Sequence, residues 1–193
     1  MILAATIAAV LMGQAAPDCP APSAAMLALP LHDFDQTDAG WRSLATPGCE
    51  AVAADAIARY RADNAAGLVA KDTGMLDWHE GQMRASAGQT DAAIAIFERR
   101  LETSHASFRP YHEATIAFLR RDRAGLEAAQ TRLLALPEPE EFTSAKARYE
   151  ATYPDLPPLV WPMNADVVAG LLACFDRPYR EAYACDARGE VQP

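Results

Sequence analysis

Two histidine–glutamate pairs carry the clearest capacity for chemistry in this chain. Each follows an aromatic residue, in Trp78-His79-Glu80 and in Tyr111-His112-Glu113. Imidazole beside carboxylate is a ligand set for a divalent metal. The zinc-protease pattern needs a second histidine four residues on, and Met83 and Ile116 stand there instead. If the two segments are neighbouring helices, their histidines lie about 10 Å apart, too far for one zinc ion. The simpler reading is that aromatic-His-Glu opens a helix, with the acid favoured near the positive end of the dipole. Alternatively His79, Glu80, His112 and Glu113 line a polar stripe in a groove.

A third cluster, His32-Asp33-Phe34-Asp35, has cation-binding residue types but not the glycine and closing glutamate of a calcium loop. It reads as a loop or a helix cap. No nucleophile elbow, phosphate-binding glycine loop or dinucleotide fingerprint occurs. A serine–histidine–acid triad leaves no local pattern, and nothing here points to one. Trp41, Trp78 and Trp161 read as packing residues, with Trp161 pinning its Pro-rich surroundings to the body of the protein. The chain is thus expected to bind rather than catalyse, with no metal and no cofactor.

The chain ends narrow the compartment. Residues 2–12 are an apolar run, shorter than the roughly 20 residues a membrane span requires. Small residues follow at Gly13 and Ala15, so the segment reads as a secretory signal peptide over 1–15, cut after Ala15. A cut after Ala16 would set Pro17 against the scissile bond. Cys19 lacks the surroundings of a lipoprotein cysteine, so no lipid anchor is expected. Cys19, Cys49, Cys174 and Cys185 are an even set in an exported chain, which favours disulfides. Three connectivities are open, and proximity favours Cys19–Cys49 with Cys174–Cys185. No Cys-x-x-Cys spacing supports zinc.

The net charge of −9 argues against nucleic acid and anionic membrane as partners. The basic runs Arg99-Arg100 and Arg120-Arg121-Asp122-Arg123 read as solvated helix faces. Lysine occurs only at Lys71 and Lys146, which with abundant alanine suggests a GC-rich bacterial genome and therefore a periplasmic or secreted protein.

The elements that must position these residues are helical. Alanine, leucine and arginine dominate, and β-branched residues are sparse. A Pro-rich irregular arm is expected over 16–35. Helices are predicted over 37–44, 50–62, 76–87, 90–101, 110–120 and 124–136, punctuated by Gly48, Gly67, Gly74, Gly88 and Pro137. After residue 136 come a helix over 141–151, an extended Pro-rich stretch, a helix over 164–174 capped by Asn164, and a last one over 178–184 capped by Asp176. This C-terminal extension, 137–193, is expected to pack on the domain formed by 36–136.

An internal repeat unites the histidine motifs. At one offset of 33 (112 − 79), Trp78-His79-Glu80 meets Tyr111-His112-Glu113, Ala95 meets Ala128, Arg99 meets Arg132 and Leu101 meets Leu134. Residues 78–101 resemble a tetratricopeptide repeat. Gly81 and Ala93 are small where paired helices must approach, Gly88 permits the reversal, and Phe97 fills the groove between the helices. Trp78 lies one residue later than the family's aromatic, and Arg84 replaces a common tyrosine. A second unit over 111–136 has Asp122 in place of the turn glycine, and a possible first unit over 41–60 carries Gly48, Ala53 and Ile57.

The resemblance implies an all-α fold of antiparallel helix pairs, as a short α-solenoid or a plain bundle. It also implies a groove for a peptide or protein partner, with Trp78, His79, Arg84, Tyr111, His112 and Glu113 as candidate lining. The expected function is that of an exported interaction or adaptor protein. The alternative is a small periplasmic enzyme or metal-binding protein using the two His–Glu pairs.

Overall fold

A computed structural model describes residues 18–190. The expected signal peptide at 1–15 and its cut after Ala15 lie outside the described residues. Among the described residues there are ten α-helices and no strand, in line with the all-α reading. No helix among them is long and apolar enough to cross a membrane.

The arm expected to be irregular over 16–35 instead holds two short helices, α1 (Ala24–Leu27) and α2 (Leu31–Gln36). Ser23 caps the first, its hydroxyl accepting from the Met26 amide at 3.1 Å. Pro30, with φ fixed at −55°, starts the second. Both helices form because they have a core to join. Phe34 stacks flat on Tyr60, with centroids 3.8 Å apart, and the Tyr60 hydroxyl donates to the Leu29 carbonyl at 2.9 Å. The helix predicted over 37–44 shrinks to a single 3-10 turn, Trp41–Leu44. Gly40 explains this: the chain doubles back there so tightly that a Cβ would sit 2.6 Å from the Phe34 Cα.

Five longer helices make the body: α3 (Glu50–Asp63), α4 (Ala70–Ser86), α5 (Thr90–Glu102), α6 (Arg109–Leu119) and α7 (Arg123–Leu134). Helix α4 packs against both α3 and α5, and α6 packs against α7. Helix α4 starts earlier than predicted and runs through Gly74. That glycine does not break the helix; it makes room for a neighbour, since a Cβ there would lie 2.6 Å from the Arg100 guanidinium carbon. Gly88, at φ +75°, reverses the chain between α4 and α5. Between α6 and α7 the left-handed position falls on Arg121 at φ +58°, not on Asp122. Asp122 caps α7 instead, accepting from the Gly125 amide at 2.9 Å. Arg121 is held in this conformation by donation to the Arg177 carbonyl at 3.2 Å and by its stacking over Phe118.

Two apolar clusters result. One gathers Phe34, Trp41, Leu44, Ile57, Tyr60 and Leu76 around α3. The other gathers Phe97, Phe118, Leu126, Leu133, Val168 and Leu171. The second includes residues of α9 (Ala165–Ala173), so the C-terminal segment shares the core of the body. Between α8 (Glu140–Thr152) and α9 the chain is without helix. Trp161 anchors that stretch by donating to the Leu136 carbonyl at 3.0 Å and packing on Phe142. Asn164 occupies the cap position of α9, but at φ +66° and with no side-chain cap bond. The last helix, α10 (Tyr179–Tyr183), is preceded by Pro178, so Asp176 is not its cap.

Both disulfides favoured by proximity are present. Cys19–Cys49 ties the first described residues to the start of α3, and Cys174–Cys185 clips the end of α9 to the second residue after α10. Two disulfides suit an oxidising compartment.

The tightest helix crossing sits at Gly81, where a Cβ would lie 2.7 Å from the Phe97 Cζ, and Phe97 is fully buried. Gly81→Ala gains about 1 kcal/mol of helix propensity but overpacks a rigid ring at a cost of about 1–3 kcal/mol. We expect a net loss of up to about 2 kcal/mol in denaturant unfolding. Phe97→Leu placed on top should cost less than it does in the wild-type background, because the clash is relieved. Additive losses would show that the two residues do not set the crossing.

Candidate functional site

The indole of Trp78 is the hub of the site. Its ring lies 4.5 Å from Phe97, 5.0 Å from Tyr111 and 4.1 Å from His112, the last nearly parallel. Phe97 behind it and Gly81 one turn away fix its place on α4. Beside it opens a cavity of about 530 Å³. Helix α4 contributes Met75, Trp78 and His79, and α6 contributes Tyr111 and His112. Ser104 and Phe108 come from the connection between α5 and α6. Gln82 reaches the hydroxyls of Tyr111 and Tyr183, each at 3.5 Å. Burial first, and then Tyr179 and Tyr183, hold the Tyr111 phenol well above its ordinary value of 10.0, so it stays neutral.

His79 is set by a buried carboxylate. Its Nδ1 lies 2.7 Å from Asp35 Oδ1, which also accepts from the Trp41 indole N–H at 3.0 Å. Gln36 donates to the other Asp35 oxygen. Asp35 has no exposed surface. Burial opposes its ionisation, but the hydrogen bond and charge of His79, with Trp41 and Gln36, hold its carboxyl below the ordinary 3.8. An ionised Asp35 can only accept, so His79 Nδ1 carries the hydrogen and Nε2 is the ring nitrogen left for a ligand. The His32-Asp33-Phe34-Asp35 cluster is therefore split: His32 and Asp33 contact each other at the surface, while Phe34 and Asp35 turn into the core.

His112 plays a different part. Its Nδ1 shares a 2.9 Å hydrogen bond with the Ser104 hydroxyl, and its ring stacks on Trp78 at 4.1 Å, with Phe108 roughly parallel but farther off at 6.4 Å. Burial, with the charges of Arg100 and Arg109, pushes its pKa from 6.5 down to about 4. It is thus a neutral imidazole at physiological pH.

The candidate groove residues divide. Trp78, His79, Tyr111 and His112 come together on the cavity, while Arg84 and Glu113 do not. Arg84 faces α3, pairing with Asp55 at 2.7 Å and with Glu80 at 3.3 Å. Glu80 also meets Arg61 at 2.9 Å, so this buried acid locks α3 to α4. Glu113 points to α7, where it pairs with Arg132 at 2.6 Å. Each histidine is thereby separated from its neighbouring glutamate: the imidazoles face the cavity and the carboxylates face other helices. Among the described residues, no group of three or more His, Cys, Asp or Glu is placed to hold a metal ion.

Sequence reasoning missed Asp35 as the partner of His79, and missed Lys71, Arg100, Ser104 and Phe108 as cavity residues. None of them carries a local signal, because each is brought to the cavity by the packing of separate elements. No family model matches the chain, nor does any curated protein or solved structure.

The depressed pKa of His112 has a consequence for stability. Unfolded, it takes up a proton near pH 6.5; folded, it does so only near pH 4. Between those values the unfolded state binds more protons, so stability is complete above pH 6.5 and falls as pH is lowered toward 4, by about 3 kcal/mol. His112→Gln should flatten that part of the stability–pH curve measured in urea. An unchanged slope would place the proton uptake elsewhere.

Proposed function

We propose that this protein is an exported, non-catalytic adaptor that holds a peptide or protein segment in the cavity beside Trp78. The observation that carries the reading is the cavity itself. At about 530 Å³ it falls within the usual range for ligand sites, and its wall combines the aromatic rings of Trp78, Phe108, Tyr111 and Tyr183 with many polar and charged side chains. Such a space takes a few side chains of an extended segment rather than a whole folded partner. The helix hairpins α4–α5 and α6–α7, the first with Gly74 and Gly81 at its crossing, support a tetratricopeptide-like arrangement whose inner helices present the groove. Two disulfides support a periplasmic or secreted location, with residues 1–15 as the leader.

The metal or enzyme alternative is less well supported. Glu80 and Glu113 are engaged by Arg61, Arg84 and Arg132, and the Nδ1 atoms of His79 and His112 are taken by Asp35 and Ser104.

The test is capture of immobilised peptides by the full chain with its disulfides intact. Met75→Glu and Phe108→Ser alter the cavity at side chains that are only partly buried, so they should leave the melting temperature within a few degrees of wild type. We expect both to weaken capture by about tenfold or more, since each removes apolar contact or adds a charge to it. Undiminished capture by both variants, or no peptide captured by the wild type, would overturn the reading.

A further inference from the structure

The charge of the cavity is opposite to that of the protein. The chain carries a net charge of −9, yet Lys71 and Arg100 line the cavity and, among the described residues, no Asp or Glu does. The nearest buried acid, Asp35, stands behind His79 and is engaged by His79, Trp41 and Gln36. Arg109, at the start of α6, adds a third positive charge close enough to depress the pKa of His112.

Arg100 is placed as few arginines in this fold are. Its guanidinium lies over the bare backbone of α4, with Cζ and Nη2 each 2.6 Å, and Nη1 2.7 Å, from where a Gly74 Cβ would be. Three near-equal distances mean that the flat face rests on the helix, so its edges carry the hydrogen-bonding capacity. Nη1 donates to the Thr103 hydroxyl at 2.9 Å. Nε is shielded from solvent without an acceptor, and Nη2 makes no hydrogen bond among the described residues. Among the other half-buried arginines, Arg42 donates to the Asp35 backbone carbonyl and lies over Trp41, and three are matched to carboxylates: Arg61 and Arg84 to two each, Arg188 to Asp166. Among the described residues Arg100 has none. Nη2 is therefore the donor left free toward the cavity, beside an Nε that is unpaired but sealed from solvent, and a guanidinium N–H is a strong donor to a carboxylate oxygen.

We propose that the cavity recognises a carboxylate, held by the free Nη2 of Arg100 with Lys71 as a second cation, while an attached apolar or aromatic group packs on Trp78 and Phe108. This rests on the peptide-binding reading and names the chemistry it selects. A carboxylate reaches the site either as the free end of a chain or as an acidic side chain. Gly74 is then part of the site: any side chain there displaces the guanidinium.

The experiment uses the full chain, ¹⁵N-labelled, and follows the indole N–H signals. Trp78 lines the cavity, and Trp161, which does not, is the control. N-acetylphenylalanine supplies a terminal carboxylate, N-acetylglutamate α-amide supplies a side-chain one, and N-acetylphenylalaninamide supplies neither. We expect at least one acid to shift the Trp78 signal with a dissociation constant on the order of 1 mM, fitting for a fragment of this size. The amide should bind about tenfold more weakly or not at all. Which acid binds identifies the source of the carboxylate. Arg100→Gln and, at an exposed position safe for folding, Lys71→Gln should each weaken the acid and leave the amide unaffected. Equal binding of acid and amide, or full binding to Arg100→Gln, overturns the carboxylate proposal while leaving peptide capture on the array intact. No shift with either acid up to about 20 mM overturns it as well. Loss of array capture overturns the broader reading by itself.

Discussion

The ionised carboxylate of Asp35, sealed in the core, constrains everything around it. A buried charge stripped of its partners costs several kcal/mol, so each group that satisfies it is fixed in place. Those groups come from three separate pieces: Gln36 from α2 itself, Trp41 from the 3-10 turn, and His79 from α4. The first two are close in sequence, but His79 lies 44 residues on. Asp35 therefore binds the N-terminal helices to the middle of the fold. In doing so it selects the hydrogen position on His79 and the face of the imidazole that the cavity meets. The wall of the candidate site is thus held from behind by a residue that never touches the cavity.

Helix α4 carries the second constraint, because it must satisfy neighbours on both sides. Leu76 belongs to the cluster around α3, whereas Ala85, with Trp78 beside it, belongs to the cluster around α5 and α6. A helix clasped this way cannot show one apolar stripe and one polar stripe. It uses small residues instead. Gly81 admits the Phe97 ring and Gly74 admits the Arg100 guanidinium, so two bulky side chains of α5 lie against the α4 backbone. The remaining face is tied to α3 by Asp77, Glu80 and Arg84, which meet Arg61 and Asp55.

This double use explains what was and was not legible in the sequence. The all-α class, the span of α5, the cysteine pairing and the role of Gly81 against Phe97 were readable, because each depends on local composition, proximity or a pair of sizes. From sequence Gly74 reads as a break, because a glycine in a helix looks like one unless its neighbour is known; the neighbour, Arg100, is 26 positions away (100 − 74). The arm over 16–35 was read as irregular from its prolines, yet Pro30 starts a helix, since Phe34 finds a ring to stack on. The His–Glu pairs misled in a specific way. Adjacent residues on a helix point about 100° apart, so imidazole and carboxylate were bound to serve different faces. The groove reading kept the histidines and aromatic residues and lost Arg84 and Glu113 for the same reason.

The ion pairs also explain how an acidic protein can hold a cavity without a carboxylate. The acids nearest the core are consumed in contacts between elements: Glu80 joins α3 to α4, Glu113 joins α6 to α7, and Glu50 meets Arg180 across the fold. Each such pair fixes a helix face and removes one negative charge from the interior field. What faces the cavity is then set by the residues left unmatched, Lys71 and Arg100, and by histidines kept neutral or turned toward Asp35. The surplus of acid lies on the outside, where dissolved salt screens it within about 10 Å at roughly 0.1 M ionic strength. Local sign and global sign are therefore decoupled, and net charge alone says little about what a site inside this fold would select.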